Sequence, residues 1–240
     1  MLVKEVSPSD LHNAYATQRC PVCSLNDRDE RRYIDVTLYD QVTNVQWRAQ
    51  IRSARGFCAA HTTRILEEGR SALGVALIAD DLLKTLQEIV GAGAPEPTSP
   101  LSRLLGGLGS ASRGLAGRLQ RTGPCPLCAH LVQQTPVHLR ALLQDLETKE
   151  GREAYAASAG LCIPHLVQVL ESGEPAGGIP PLIERQKQVW QNLEAELQEF
   201  IRKSDYQFSG EPIGEERDAW RRAFRLLAGW QMGQHLHSQP

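Results

Sequence analysis

The sequence predicts an all-α protein: two pseudo-symmetric helical repeats, each clipped by a Cys3His metal site, and a C-terminal helical extension. Three observations predict it. One cysteine pattern occurs twice. Apolar residues between and after the cysteines recur at spacings of three and four. Leu and Ala dominate a composition that is only 5% aromatic.

The first copy of the pattern is Cys20-Pro21-Val22-Cys23 followed by Gly56-Phe57-Cys58-Ala59-Ala60-His61. The second is Cys125-Pro126-Leu127-Cys128 followed by Gly160-Leu161-Cys162-Ile163-Pro164-His165. The offset between the copies is 105 residues at the first cysteine pair and 104 at the second group. Leu66, Glu67 and Gly69 keep that second offset against Leu170, Glu171 and Gly173. So regular an offset points to an internal duplication. All six cysteines fall inside the two copies.

The donor types explain the spacing. Three thiolates and one imidazole form the closed four-coordinate set of structural zinc. In C-x2-C the two sulfurs are expected to curl round one ion in a tight turn, stiffened by the intervening proline. In C-x2-H the donors stand three apart, on one face of a helix's first turn. The N–H groups there favour thiolate charge. Gly56 and Gly160, two residues before the third cysteine, are expected to take an unusual backbone turn. The metal ligands read from the pattern are therefore Cys20, Cys23, Cys58, His61, Cys125, Cys128, Cys162 and His165. The expected cofactor is zinc, two ions per chain, with an iron–sulfur cluster as the alternative for such soft donors. Disulfides and an open catalytic metal are weaker readings. A thioredoxin-like pair lacks the surrounding strand–helix alternation. Haem attachment fails because Ser24 and Ala129 stand where a histidine is required. The spacing does not decide whether each site draws its ligands from one half or exchanges them between halves.

The elements follow in order. A short helix through Leu11 and Tyr15 is expected to be capped by Ser9 or Asp10. Ile34, Leu38 and Val42 suggest a helix from Ser24 to about Thr43, weakened by β-branched residues. A helix through Trp47 and Ile51 should end at Gly56, and the next should run from Cys58 to near Gly69. Ser71 is a candidate cap for a helix carrying Val75, Ile78, Leu82, Leu86 and Ile89. Gly91–Pro100 reads as a linker. In the second half, Val132, Thr135, Leu139, Leu142 and Leu146 mark a helix over Ala129–Lys149, with Pro136 inside it. Leu182, Gln186, Val189, Leu193, Leu197 and Phe200 form a stripe expected to pack within the chain rather than as a dimer seam. Residues 204–216 read as a loop. Trp220, Phe224, Leu227 and Trp230 share one face of a last helix and are expected to cap the core. His235 and His237 lie in a polar tail; His12, His130 and His138 have no partner at ligand spacing. The expected domains are a first repeat over residues 1–90, a linker over 91–124, a second repeat over 125–202 and an extension over 203–240.

Composition narrows the function. The net charge of −2 makes no global case for nucleic acid. Arg103, Arg113, Arg118 and Arg121 make the linker locally basic, so nucleic-acid binding through them is one reading. No apolar run approaches the roughly 20 residues that span a membrane. The N-terminus lacks the basic and apolar regions of a signal peptide, which suggests the cytoplasm. Phosphate-binding loops, nucleophile elbows and H-E-x-x-H motifs are missing, so no catalytic residue is named.

With CPxC and GFCxxH, the stretch Leu73-Gly74-Val75-Ala76 and the late Asp205-Tyr206-Gln207-Phe208 and Asp218-Ala219-Trp220 segments, the chain resembles an uncharacterised bacterial family catalogued as a domain of unknown function. The resemblance covers most of the chain and implies a cytoplasmic protein with metal-type ligands at the eight positions named above. It implies no activity. The expected function is a zinc-binding, non-enzymatic scaffold or adaptor for another macromolecule, a protein partner being the first expectation. The alternatives are a redox or metal sensor with iron–sulfur or labile zinc–thiolate sites, and a nucleic-acid-binding protein.

Overall fold

A computed structural model describes residues 5–68, 71–92, 113–173, 176–208 and 210–229. Among them all regular structure is helical. The α-helices are α1 (Pro8–Tyr15), α2 (Pro21–Val36), α3 (Val45–Ser53), α4 (Ala59–Glu68), α5 (Ala72–Gly91), α6 (residues 113–119), α7 (Pro126–Asp145), α8 (Lys149–Tyr155), α9 (Ile163–Glu171), α10 (Ile179–Lys203) and α11 (Ala219–Ala228). The described residues form two compact units. One combines those up to Asp29 with those from Leu131 onward, and the other spans Glu30–His130. This division passes through α2 and α7 rather than between the halves read from the repeat.

Local chemistry sets the helix ends. Ser7, not Ser9 or Asp10, caps α1: its side chain accepts from Asp10 N, Asp10 reaches back to Ser7 N, and Pro8 takes the first helical position. Asn44 caps α3 by accepting from the N–H groups of Gln46 and Trp47 at 3.0 and 3.1 Å. Ser71 caps α5 as expected. Helix α2 stops at Val36 and continues as one π-helical turn over Thr37–Gln41. There the Thr37 hydroxyl donates to Tyr33 O at 2.6 Å, competing for a carbonyl of the helical ladder. Helix α7 runs through Pro136.

In the first unit Leu11, Tyr15, Leu25, Leu142, Leu146, Tyr155, Leu161 and Leu182 form the core, and Cys20, Cys23 and Cys162 belong to the same cluster. Tyr15 meets Tyr155 edge to face at 5.1 Å and donates to Asp145 Oδ2 at 2.9 Å. The α10 stripe packs within the chain, burying Leu182, Gln186 and Leu193, and α10 contacts α11. The residues between these two helices include two 3-10 turns, Tyr206–Phe208 and Glu215–Asp218. In the second unit Trp47 donates to the Tyr33 hydroxyl at 3.2 Å, and Ile34, Ile51 and Ile65 are buried.

The expected aromatic cap on α11 is not formed. Trp220, Phe224 and Leu227 are exposed, while Ala219 is buried and Ala223 and Leu226 are half-buried. The apolar surface of α11 is wider than one stripe, and the side carrying its small residues is the one that packs. Trp230, His235 and His237 lie outside the described residues.

A polar network is buried in the first unit. His138 is fully enclosed, with Nδ1 2.9 Å from Asn26 Oδ1 and Nε2 2.9 Å from Asp29 Oδ2. Burial works to raise the Asp29 pKa, but the hydrogen bond from His138 and attraction to His138 and Arg28 outweigh it and hold the carboxyl below its usual value. Its stabilising effect is present above the unfolded pKa and is lost as pH falls through the lower folded one. His138→Leu takes the imidazole away from its two buried partners, Asn26 and Asp29. It is expected to cost about 2–3 kcal/mol, read as a lower urea midpoint at unchanged slope. The His130 and Tyr33 rings meet at a tilt with centroids 4.8 Å apart, and His12 lies 3.4 Å from Asp145.

Candidate metal centres

The eight expected donors form two clusters, but crosswise. Cys20 and Cys23 of the first copy meet Cys162 and His165 of the second; Cys58 and His61 of the first meet Cys125 and Cys128 of the second. Each half of the sequence therefore supplies two donors to each cluster, and the picture of one clip per half is corrected. Each cluster lies within one compact unit.

All four cysteine-bearing motifs share one local geometry. The carbonyls of Cys20, Cys58, Cys125 and Cys162 accept from the N–H groups of Ser24, Thr62, Ala129 and Leu166, so each of these cysteines stands at the N-cap of a helix. The second donor, Cys23, His61, Cys128 or His165, is then the third helical residue. The C-x2-C segments are thus first turns of α2 and α7 rather than free tight turns. Pro21 and Pro126 take the first helical position, where an N–H would have no intrahelical partner. Every cluster lies between two helix N-termini, whose partial positive charge favours thiolates.

The approach to each C-x2-H segment is held by backbone. Gly56 and Gly160 have φ of +92° and +69°, as expected. Gly56 N donates to Ile51 O at 2.9 Å, closing α3 in a Schellman turn before Cys58. Gly160 precedes Leu161, whose N–H donates to the buried Gln186 Oε1 at 2.8 Å, so α10 fixes the chain just before Cys162. Cys125 is reached through residues docked on the α3 end. There Thr122 N donates to Ser53 O, Arg121 to Phe57 O and Arg55 to Arg118 O. Of the arginines read as a basic segment, Arg121 is thereby engaged in this docking; Arg113 lies in α6, and Arg103 is outside the described residues.

The distances suit a single ion. In the first cluster Cys23 Sγ lies 3.7 Å from Cys162 Sγ, and His165 Nδ1 lies 3.5, 3.4 and 3.1 Å from the sulfurs of Cys20, Cys23 and Cys162. In the second, Cys58 and Cys128 Sγ are 3.8 Å apart, and His61 Nδ1 lies 3.1, 3.4 and 3.3 Å from the sulfurs of Cys58, Cys125 and Cys128. A tetrahedron with Zn–S of about 2.3 Å and Zn–N of about 2.05 Å has edges of about 3.8 Å and about 3.5 Å. All donor atoms of a cluster lie within 4.8 Å of one another. Both clusters could hold metal ions.

Their electrostatics call for a cation. Burial works against the Cys20 thiolate, yet hydrogen bonds from Cys162, Cys23 and His165 hold its pKa well below the usual thiol range. Cys23 is pushed up by Cys162 and Cys20. In the second cluster the hydrogen bond from Cys128 brings Cys125 down to about 3, against burial and with help from His61, while Cys128 is pushed up by Cys125 and burial. Thiols this close do not all ionise without a positive ion among them.

Behind the second cluster is a pair of residues the sequence did not single out. His61 Nε2, turned away from the sulfurs, faces Glu30 Oε1 at 3.4 Å, and Glu30 Oε2 accepts from Arg64 Nη1 at 2.6 Å. The side chains of His61, Glu30 and Arg64 are 0, 4 and 3% exposed, so the ion pair is dry. A carboxylate behind a ligating histidine fixes the ring and raises its basicity. Glu30 lies in the run Asp27-Arg28-Asp29-Glu30-Arg31-Arg32, where nothing in the sequence separates it from a solvated charge.

Fold and donors define a helical protein with two closed Cys3His clusters. The chain belongs to a family of unknown function, DUF6062, whose model matches residues 9–234. It is also similar to an uncharacterized 23.9 kDa protein in the xynA 3′ region of Caldicellulosiruptor sp. (strain Rt8B.4). The two are 25% identical over 219 residues, covering 90% of this chain and 98% of that protein. No solved structure matches. No helix among the described residues is long and apolar enough to cross a membrane.

Proposed function

We propose that the protein is a non-enzymatic helical adaptor stapled by two zinc ions. One ion is held by Cys20, Cys23, Cys162 and His165, the other by Cys58, His61, Cys125 and Cys128. The observation that carries this reading is the pair of compact three-sulfur, one-nitrogen cages, each with one S–S edge of 3.7 or 3.8 Å and S–N edges of 3.1–3.5 Å, near those of a zinc tetrahedron. A cage with every donor within 4.8 Å of the others encloses one ion; a multi-iron cluster spreads its ligands over several metals. Four protein donors leave zinc no open position for substrate, which favours a staple over a catalytic ion.

The adaptor role is supported by α11. Trp220, Phe224 and Leu227 make an exposed stripe at i, i+4 and i+7, and Arg221 stacks on Trp220 at 4.8 Å. Aromatic residues and arginine dominate protein–protein hot spots, so the partner proposed is another protein with an apolar groove. Elemental analysis of anaerobically purified protein, with an absorption spectrum, tests the metal assignment. Two zinc per chain and no visible band are expected; iron with sulfide and a brown colour would overturn it.

A further inference from the structure

The two clusters have the same donors and unlike surroundings. In the first, Cys20, Cys23, Cys162 and His165 are all buried; in the second, Cys58 and Cys128 are partly exposed while His61 and Cys125 are enclosed. Sulfur spacing does not separate them, since Cys23 and Cys162 stand 3.7 Å apart and Cys58 and Cys128 3.8 Å. Access does. Oxidation of thiolates follows thiolate character and exposure, and metal binding makes every sulfur of both clusters a thiolate.

We propose that the second cluster is a peroxide-responsive metal site, at which Cys58 and Cys128 are joined in a disulfide and the ion is released, while the first cluster keeps its metal. This rests on the reading that both clusters hold zinc. One of the two thiolates attacks a peroxide oxygen: the O–O bond breaks, a sulfenic acid forms, and hydroxide leaves as water after taking a proton from solvent. The other thiolate attacks the sulfenic sulfur: the S–O bond breaks, the S–S bond forms, and a second hydroxide leaves as water after taking a second proton. The two sulfurs together lose two electrons and the peroxide gains them. The closure draws the sulfurs from 3.8 Å to disulfide length, about 2.05 Å. Cys125 and His61 remain as two donors, too few to retain a tetrahedral ion.

The test uses the full, metal-loaded chain, with two equivalents of zinc verified first. Hydrogen peroxide is added in the presence of a chromophoric zinc indicator, and the products are digested and mapped by mass spectrometry. One equivalent of zinc is expected to leave at least about tenfold faster than the other. The fast phase should coincide with a Cys58–Cys128 disulfide and reverse with thiol reductant and added zinc. Release of both ions at one rate would overturn the proposal, as would a first disulfide among Cys20, Cys23 and Cys162, or retention of both ions. A protein that carries no zinc at the outset refutes the metal reading itself, and this inference with it.

Discussion

Cys23→Ser and Cys162→Ser are expected to have the same phenotype although the residues lie in opposite halves of the sequence. Each should remove the ion of the first cluster, lowering zinc from two equivalents to one, and each should unfold the unit that contains residues 5–29 and 131–229. Structural zinc contributes about 10–16 kcal/mol in small zinc domains, as much as the whole stability of a typical domain, about 5–15 kcal/mol. Cys20, Cys23 and Cys162 sit inside the same core cluster as Tyr15, Tyr155 and Leu161. Losing the ion therefore leaves packed thiols without their cation at the centre of that unit. Combining the two substitutions should add little to either alone, because both act on one site. Combining Cys23→Ser with Cys58→Ser should remove both ions. Zinc stoichiometry and circular dichroism on the four proteins check this. Additive loss for Cys23 with Cys162, and non-additive loss for Cys23 with Cys58, would show that each site is built within one half.

The second large effect is expected at Glu30. Glu30→Ala removes the carboxylate between His61 and a guanidinium that is 3% exposed. Breaking a buried ion pair from one side costs about 3–5 kcal/mol. Removing a carboxylate behind a metal-bound histidine lowers metal affinity by about 10–100-fold. The two consequences can be separated. Glu30→Met with Arg64→Met replaces the pair by apolar volume and should recover most of the stability, since no unpaired charge stays buried. It should not recover the affinity, because no carboxylate then faces His61 Nε2. Chelator competition measures affinity at the second cluster and urea unfolding measures stability. Affinity equal to the native protein in the double variant would remove Glu30 from any role in orienting His61.

Much of this was legible in the sequence, for identifiable reasons. That these eight residues would cluster was readable because three sulfurs and an imidazole at paired short spacings have few other uses, and because no cysteine lay outside the pattern. Gly56 and Gly160 were readable because a left-handed turn favours glycine. The α10 stripe was readable as period. The crosswise pairing was not, because C-x2-C and C-x2-H are each complete half-sites and spacing along the chain carries no information about which halves meet. The helical state of Cys20–Cys23 was obscured by its proline, which suits a tight turn as well as a first helical position. Asp29 and Glu30 were hidden in a charge run whose members look alike until one is seen buried, and Arg64 stands alone on α4 with nothing in the sequence to pair it with Glu30. Trp220, Phe224 and Leu227 were misplaced because the inward side of α11 is made by Ala219, Ala223 and Leu226, of which the two alanines contribute little to a hydrophobic pattern.

The central claim is that two single-ion centres are assembled crosswise from the two copies of one motif. An anomalous difference map from crystals of the metal-loaded protein, collected at the zinc absorption edge, tests it most directly. The account predicts two peaks. One should lie about 2.3 Å from the sulfurs of Cys20, Cys23 and Cys162 and about 2.0–2.1 Å from His165 Nδ1. The other should stand in the same relation to Cys58, Cys125, Cys128 and His61. A peak shared by Cys20, Cys23, Cys58 and His61, or no peak among the cysteines, would contradict it.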